Sequence, residues 1–457
     1  MVLASHPKSN RREPLQEVPP TPMKPPVPDC RIWIEIDDFM RMFDWSLTPT
    51  GIGRVQMELI PALLDRHGDR IRLFRLGHSA GDVRTVSHRE VRALVARMRA
   101  LRGDTPAKRA RIRVAQALRA ARRTVGRWAS AAAPGGHARQ FATDIRPGDL
   151  VVNFGASWEN PHYAAALGAL KQQHGFRFVL FVHDILPVSH PGLVSPVHAP
   201  NFARWLTAMM PLCDAILTPS RATRVILEDW LAEHGMAIPA IRPVRYGDGL
   251  VAPRRDAGIA PVCEAPYVLF VSTIEIRKNH LALVRIWKRL IEAHGRDAVP
   301  ALVFAGKLGW QIADLLRELE ATGRLDGKIR VVENLSDAQI QAAYDACLFT
   351  VFPSLCEGWG LPVSESLAHG KYCIASDATS IPEAGGRFCD YFPPTDEDEA
   401  YRLIERALFE PGFIEKREAV IHREFAPVPW TQTADQIVAF FGELDGRTAK
   451  ASLQAAQ

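Results

Sequence analysis

"CLFTVFPSLCEGWGLPVSESLAHG", Cys347–Gly370, packs three structural pieces into one stretch. The apolar run from Leu348 to Pro353 reads as a strand buried on both faces. Gly358 and Gly360 mark a tight turn. Pro362 then stands at the favoured first turn of a helix. A buried strand, a glycine turn and a helix in that order are half of a βαβ unit and point to a parallel sheet. The stretch also carries Glu357 on the loop and Glu365 in the first turn of the expected helix, eight positions apart. As bare residues they have three readings: a catalytic carboxylate pair, a ligand cradle, or a loop glutamate and a capping one.

The same alternation runs through the rest of the chain. "RIWIEID" opens it at Arg31, and "VQMELIPALLDR" follows with Val55, Leu59, Ile60 and Leu63 on one helical face. "RIRLFRL", "DLVVNFG", "RFVLFVHD" and "DAILTPS" continue the strands. A linker interrupts, and "YVLFVST", "ALVFAGK", "IRVVEN", "CLFTVFPS" and "KYCIASD" restart the pattern. This predicts two Rossmann-like parallel-sheet domains, 31–250 and 267–430, joined by a linker over 251–266. A last helix is expected over 431–446, and 447–457 reads as a frayed, disordered tail. Residues 1–30 read as a disordered leader, with eight prolines in the first 28 and no apolar core of a secretory signal.

The chain has 457 residues, 47% hydrophobic and 23% charged, in the range of soluble globular proteins with two or three domains. Seven cysteines without a CxxC favour reduced thiols in the cytoplasm. No apolar run reaches the ~20 residues of a membrane span. The net charge of +5 hides an asymmetry: 84–127 holds fourteen Lys/Arg against Glu90 and Asp104. Val91, Leu94, Val95, Met98 and Leu101 fall at helical spacing there, as do Val114, Leu118, Val125 and Trp128. The segment 84–130 is therefore expected to be a basic helical insertion in the first domain. It is either a solvated helix pair or a dock on the anionic inner face of the plasma membrane. Nucleic acid fits poorly, because aromatic residues are scarce in the run and no binding motif is present.

In doubly wound sheets, ligands bind in the crevice at the carboxyl ends of the strands. Four loops there carry chemistry. "TPTGIGR" offers Gly51 and Gly53 for close approach of backbone amides to an anion, or for a plain turn. "FVHDILP" ends a strand with His183, which suits a hydroxyl or phosphate contact, acid–base work, or a satisfied edge position. "STIEIRKNH" sets Arg277 and Lys278 before a helix, where cations oppose the macrodipole. They suit a diphosphate, with a solvated basic turn as the alternative. The fourth loop is the opening one. Asp396-Glu397-Asp398 matches a metal-binding DxD string but follows a proline pair at a helix start, where acidic residues belong. No metal and no cofactor are expected.

Taken together, these motifs resemble retaining, GT-B-fold glycosyltransferases of family 4. "PSLCEGWGLPVSESLAHG" is similar to that family's E-x7-E signature, "IEIRKNH" to its diphosphate loop, and "SIPEAGG" to the loop after the next strand. The resemblance covers about Ile32 to Leu444. It implies two domains facing across a cleft, with the last helix, near Trp430, crossing back to the first. It implies that Glu365 bonds the ribose of a nucleotide-sugar donor and that Glu357 bonds the hexose. Gly358, Trp359, Gly360 and Leu361 would surround sugar and phosphate, Arg277 and Lys278 would neutralise the diphosphate, and His183 would lie close to the transferred sugar. Gly51 and Gly53 would form the loop beneath it. The combination of "TGIG", "HDILP" and "RKNH" looks like that of bacterial mannosyl- or rhamnosyltransferases of surface polysaccharide assembly. That implies GDP-mannose as first donor, with UDP-sugars or dTDP-rhamnose as alternatives, and a lipid-linked or growing glycan as acceptor. A non-catalytic sugar-binding role and a GT-B phosphorylase or epimerase are the rivals. Ser272-Thr273 departs from the Gly or Gly-Arg of many relatives, and Lys307 in "AGKLGW" is a candidate to supply the missing phosphate contact.

Overall fold

The computed structural model of the protein describes residues 30–45, 51–101, 136–195, 198–249, 261–264 and 266–455. The expected leader, most of the linker, and Val114, Leu118, Val125 and Trp128 lie outside the described residues.

Two sheets organise the chain. The first contains β1 (Ile32–Glu35), β2 (Ile71–Leu76), β3 (Val83–Val86), β4 (Leu150–Asn153), β5 (Arg177–Phe181), β6 (Ala215–Thr218) and β7 (Ala240–Pro243). Its order is β3-β2-β1-β4-β5-β6-β7. The second contains β8 (Tyr267–Val271), β9 (Ala301–Ala305), β10 (Ile329–Val332), β11 (Thr350–Phe352), β12 (Cys373–Ser376) and β13 (Cys389–Phe392). Its order is β10-β9-β8-β11-β12-β13, parallel throughout. The central strands are apolar on both faces because helices cover both faces; every residue of β1, β4, β8 and β9 is buried. Two parallel sheets built from crossover units are what the strand–helix alternation predicts. Three details differ from that reading.

The first is at the basic segment. Its start is not an insertion but the edge of the sheet: β3 pairs antiparallel with β2. The helix α3 (His88–Leu101) follows, as the spacing predicts, but its apolar face is already used. Val91, Val95 and Met98 join the core that also holds Leu59, Ile60 and Leu63 of α2 (Ile52–His67). Arg92 pairs with Asp65 at 2.8 Å and Arg99 with Glu58 at 2.7 Å. This helix therefore cannot turn its apolar stripe toward a membrane without leaving the core. No helix among the described residues is long and apolar enough to cross one.

The second is the C-terminal helix, Trp430–Ala455, which runs past the end expected at 446. The polar composition after Leu444 does not end the helix, and the interior Gly446 costs only about 1 kcal/mol relative to alanine. The upstream half is anchored along α2. Asp435 meets Arg66 at 2.9 Å and His67 at 2.8 Å, and Asp445 meets Arg177 at 2.8 Å. The last helix thus returns from the second sheet to the first.

The third is a helix, α1 (Asp37–Trp45), between the first strand and the "TPTGIGR" loop, where the sequence reading assigns no element. It follows a buried carboxyl that ties three strands together. Glu35 accepts from Leu76 N at 3.1 Å, Asp37 N at 2.7 Å and Asn153 Nδ2 at 2.9 Å. Burial, reinforced by Asp37 and Asp38, pushes its pKa up to about 8. By contrast, Asp396-Glu397-Asp398 begins a helix as expected. Asp396 caps Glu399 N at 2.9 Å, while Glu397 and Asp398 pair with Arg285 and Arg289.

Glu35 makes stability depend on pH. The folded chain holds the Glu35 proton up to about pH 8, whereas the unfolded chain releases it near 4.5. Between those limits the folded state binds more protons, so stability falls as pH rises. Glu35→Gln should flatten that fall in denaturant titrations from pH 5 to 9. A wild-type to variant difference that does not change with pH would refute the assignment.

Candidate functional site

The carboxyl ends of both sheets face one cleft. Gly51, Arg54, His183, Asp184 and Tyr246 line it from the first half; Ser272, Arg277, Lys278, Lys307 and residues 357–362 line it from the second. The sheet order explains the meeting of the two key loops. β8 and β11 are neighbours, so the loops after them emerge side by side.

The loop after β8 makes one 3-10 turn, Ile276–Lys278, before Asn279 turns left-handed and the helix His280–His294 begins. Arg277 and Lys278 thus precede the helix by a turn. The loop after β11 brings Glu357 between them. Its Oε1 lies 2.5 Å from Lys278 Nζ and its Oε2 2.6 Å from Arg277 Nη1. Burial would raise the Glu357 pKa, but the two cations outweigh it and hold the carboxyl at about 2. Burial and the adjacent Arg277 in turn lower Lys278. Arg277 also meets Glu275 at 2.7 Å and donates to Cys356 O at 2.8 Å.

The Glu357 loop is clasped from the next loop. Thr379 Oγ1 donates to Glu357 O at 2.7 Å, and Ser380 Oγ donates to both Glu357 O at 2.9 Å and Trp359 O at 3.0 Å. Gly360 has φ +116 and caps the helix Leu361–Ala368. Glu365 is the fifth residue of that helix. It lies in the second turn rather than the first, because the helix already starts at Leu361. The residue is 2% exposed. Burial raises its pKa against the opposing pull of Arg54. Arg54 Nη2 reaches its Oε1 at 2.5 Å, and Tyr344 donates to its Oε2 at 3.1 Å.

His183 is held at both ring nitrogens. Nε2 lies 2.8 Å from Phe154 O, which can only accept, so Nε2 carries the proton. Nδ1 accepts from the Tyr246 hydroxyl at 2.5 Å. Burial lowers the pKa to about 4, so the ring is neutral at neutral pH. In this arrangement neither nitrogen is left to shuttle a proton, which counts against acid–base work for His183. Gly51, with φ +55, lies at the cleft just before α2. Gly53 falls inside the first turn of α2 and does not line the cleft.

Residues beyond the predicted set join the two halves. Ser220 and Thr223, at the start of the helix Arg221–Glu233, donate to Gly358 O at 2.9 and 3.1 Å. Glu383 of "SIPEAGG" crosses the cleft to accept from Arg221 N at 2.9 Å and Ala222 N at 2.8 Å. It caps a helix of the other half with a carboxylate, the charge a helix N-terminus favours. Tyr246 packs against Trp359 and Trp430. For Arg54, the signal was its place just after the glycines in "TGIGR"; no local pattern announces Ser220 or Tyr246.

At Gly358 the halves meet backbone against backbone: a Cβ there would overlap the His183 carbonyl oxygen. Gly358→Ala should therefore cost about 1–3 kcal/mol in strain or force the halves apart. Thermal melts and small-angle scattering would show a lower Tm or a larger radius. A variant with wild-type values in both would contradict the contact.

Residues 258–424 match the model of the family described as Glycosyl transferases group 1. The serotype-specific mannosyltransferase WbdA of Escherichia coli is 30% identical over 178 residues, which is 39% of this chain and 22% of the relative. The O-antigen chain mannosyltransferase B of Escherichia coli is 32% identical over 162 residues, 34% of this chain and 42% of the relative. The chain thus matches less than half the length of each of these relatives. Anabaena HepE, solved in complex with UDP-glucose, superposes over 92% of this chain and 100% of its own with TM-score 0.53 at 14% identity. That likeness shows the fold: GT-B, two Rossmann-like sheets with a crossover helix. The stretch that holds Glu357 and Glu365 is thus the part of the chain that is similar to the glycosyl transferases group 1 family.

Proposed function

We propose that the protein is a retaining glycosyltransferase that moves a hexose from a nucleotide-diphospho-sugar to a glycan acceptor, with GDP-mannose as the donor. The observation that carries this is the convergence of Glu357, Arg277 and Lys278 in one cleft between two sheets. The mannosyltransferase names of both relatives support the sugar. UDP-sugar is the second reading for the donor, favoured by the UDP-glucose bound to HepE.

On this reading the leaving nucleoside diphosphate takes most of the developing negative charge. Arg277 and Lys278 stabilise it from a buried position, where fixed charges act far more strongly than in water. Lys307, on the cleft wall beside Ser272, adds a third cation to that wall. Glu357 has both oxygens engaged by cations and stays a carboxylate through the working pH range. It orients the hexose by accepting from a hydroxyl and is not suited to be the covalent nucleophile, which needs a partner acid ~5 Å away. His183, neutral and fixed, shapes the wall next to the transferred sugar, and Glu365 receives the ribose. The acceptor, a lipid-linked or growing surface glycan, enters from the first half. Any membrane contact of the basic segment rests on 102–135, because β3 and α3 belong to the first sheet's core.

Thermal melts with GDP, UDP and dTDP test the donor. GDP is expected to give the largest rise, about 2.7 kcal/mol of stabilisation at a hundred times its Kd. No stabilisation by any of the three would refute the nucleotide-sugar reading. With the donor in hand, Arg277→Ala should lower kcat by about 100-fold or more. Vesicle flotation of the chain with and without 102–135 tests the membrane dock. Equal binding of both forms to anionic vesicles would end it.

A further inference from the structure

We infer that Arg54 gates Glu365: it holds the carboxylate that the donor's ribose must reach, and the nucleotide binds by taking its place. The inference rests on the nucleotide-sugar reading of the cleft. Arg54 is the third residue of α2. Among the described residues it is the cation that the first half contributes to the cleft wall, whereas Glu365 does not itself line the wall. With one oxygen against Arg54 and the other against Tyr344, Glu365 is covered from the side of the cleft. A ribose diol approaching it meets the guanidinium first.

The contact is close but poorly aligned. Arg54 Nη2 lies 2.5 Å from Oε1, yet it makes no directed hydrogen bond there. Arg277, by comparison, donates directly to Glu275 and Cys356 while pairing with Glu357. An off-axis ion pair is readily exchanged for two ribose hydroxyls that donate along the lone pairs of the carboxylate. Arg54 also joins the two halves. It belongs to α2, on which the C-terminal helix lies, and its partner belongs to the helix after the Glu357 loop. Ribose binding therefore trades a contact between halves for a contact to ligand. A protein whose binding-competent form is only a fraction of the total binds its ligand more weakly by that fraction.

Calorimetric titration of the full chain and its variants tests this, with GDP and UDP as nucleotides and inorganic pyrophosphate as the ribose-free probe. Arg54→Gln should bind the preferred nucleotide about fivefold tighter or more, and Arg54→Lys should fall between it and wild type. Pyrophosphate affinity should be unchanged by either. Glu365→Gln should weaken the nucleotide, and adding Arg54→Gln to it should give no gain. Weaker nucleotide or pyrophosphate binding by a folded Arg54→Gln would make Arg54 a ligand of the donor and overturn the gate. Unchanged nucleotide affinity in Glu365→Gln would refute the ribose role of Glu365, and the gate with it. If wild type binds pyrophosphate but neither nucleotide, the nucleotide-sugar reading itself fails.

Discussion

The buried carboxylate of Glu357 is the constraint on which the cleft depends. At 9% exposure it would be costly to bury alone, by several kcal/mol. It is tolerated because Arg277 and Lys278 reach both its oxygens from a neighbouring loop. That demands that the loops after β8 and β11 emerge together, which the order of the second sheet provides. It also demands a fixed backbone at Glu357, supplied by Thr379 and Ser380. Glu275 on the far side of Arg277 completes a cluster of two cations and two anions. On the proposed reading, this near-neutral cluster keeps two cations dehydrated and aimed before the diphosphate arrives.

The link between the halves rests on backbone polarity as much as on side chains. Gly358 offers its carbonyl to Ser220 and Thr223, and Glu383 offers its carboxylate to two amides of the same helix. The helix Arg221–Glu233 is thus satisfied at its start by both its own Ser220 and a group from the other half. These contacts are polar and few. The C-terminal helix supplies the broader tie, burying Trp430 beneath Gly247 and running along α2. Apolar contacts add to it, since Tyr246, Trp359 and Trp430 belong to one buried cluster that spans both halves.

What was legible in the sequence follows from how local each signal is. Apolar strands followed by glycine turns and periodic helices depend on neighbours in the chain, and they gave both sheets. Glu357, Arg277, Lys278 and His183 are legible because each lies on the loop after a strand, and such loops gather in the crevice; Gly51 reaches the cleft although α1 separates it from β1. Arg54, Tyr246 and Ser220 are not, because their partners lie far along the chain. The basic segment shows the opposite failure. Its spacing predicts α3, but spacing does not say which surface an apolar stripe meets. Here it meets α2, and the arginines beside it pair with Asp65 and Glu58.

Glu357 and Glu365 look equivalent in the sequence and are chemically unlike in the fold. Both are buried, yet the pKa of Glu357 is held at about 2 whereas that of Glu365 is raised. The difference lies in what surrounds them. Two cations flank Glu357, and they outweigh its burial. One off-axis cation and a phenol face Glu365, and they do not. A carboxylate clamped by two fixed charges is a permanent feature of the wall. One held by a single arginine from the other half can change partners at little cost. On the proposed reading, the spacing of the two glutamates therefore pairs a fixed anchor with an exchangeable one.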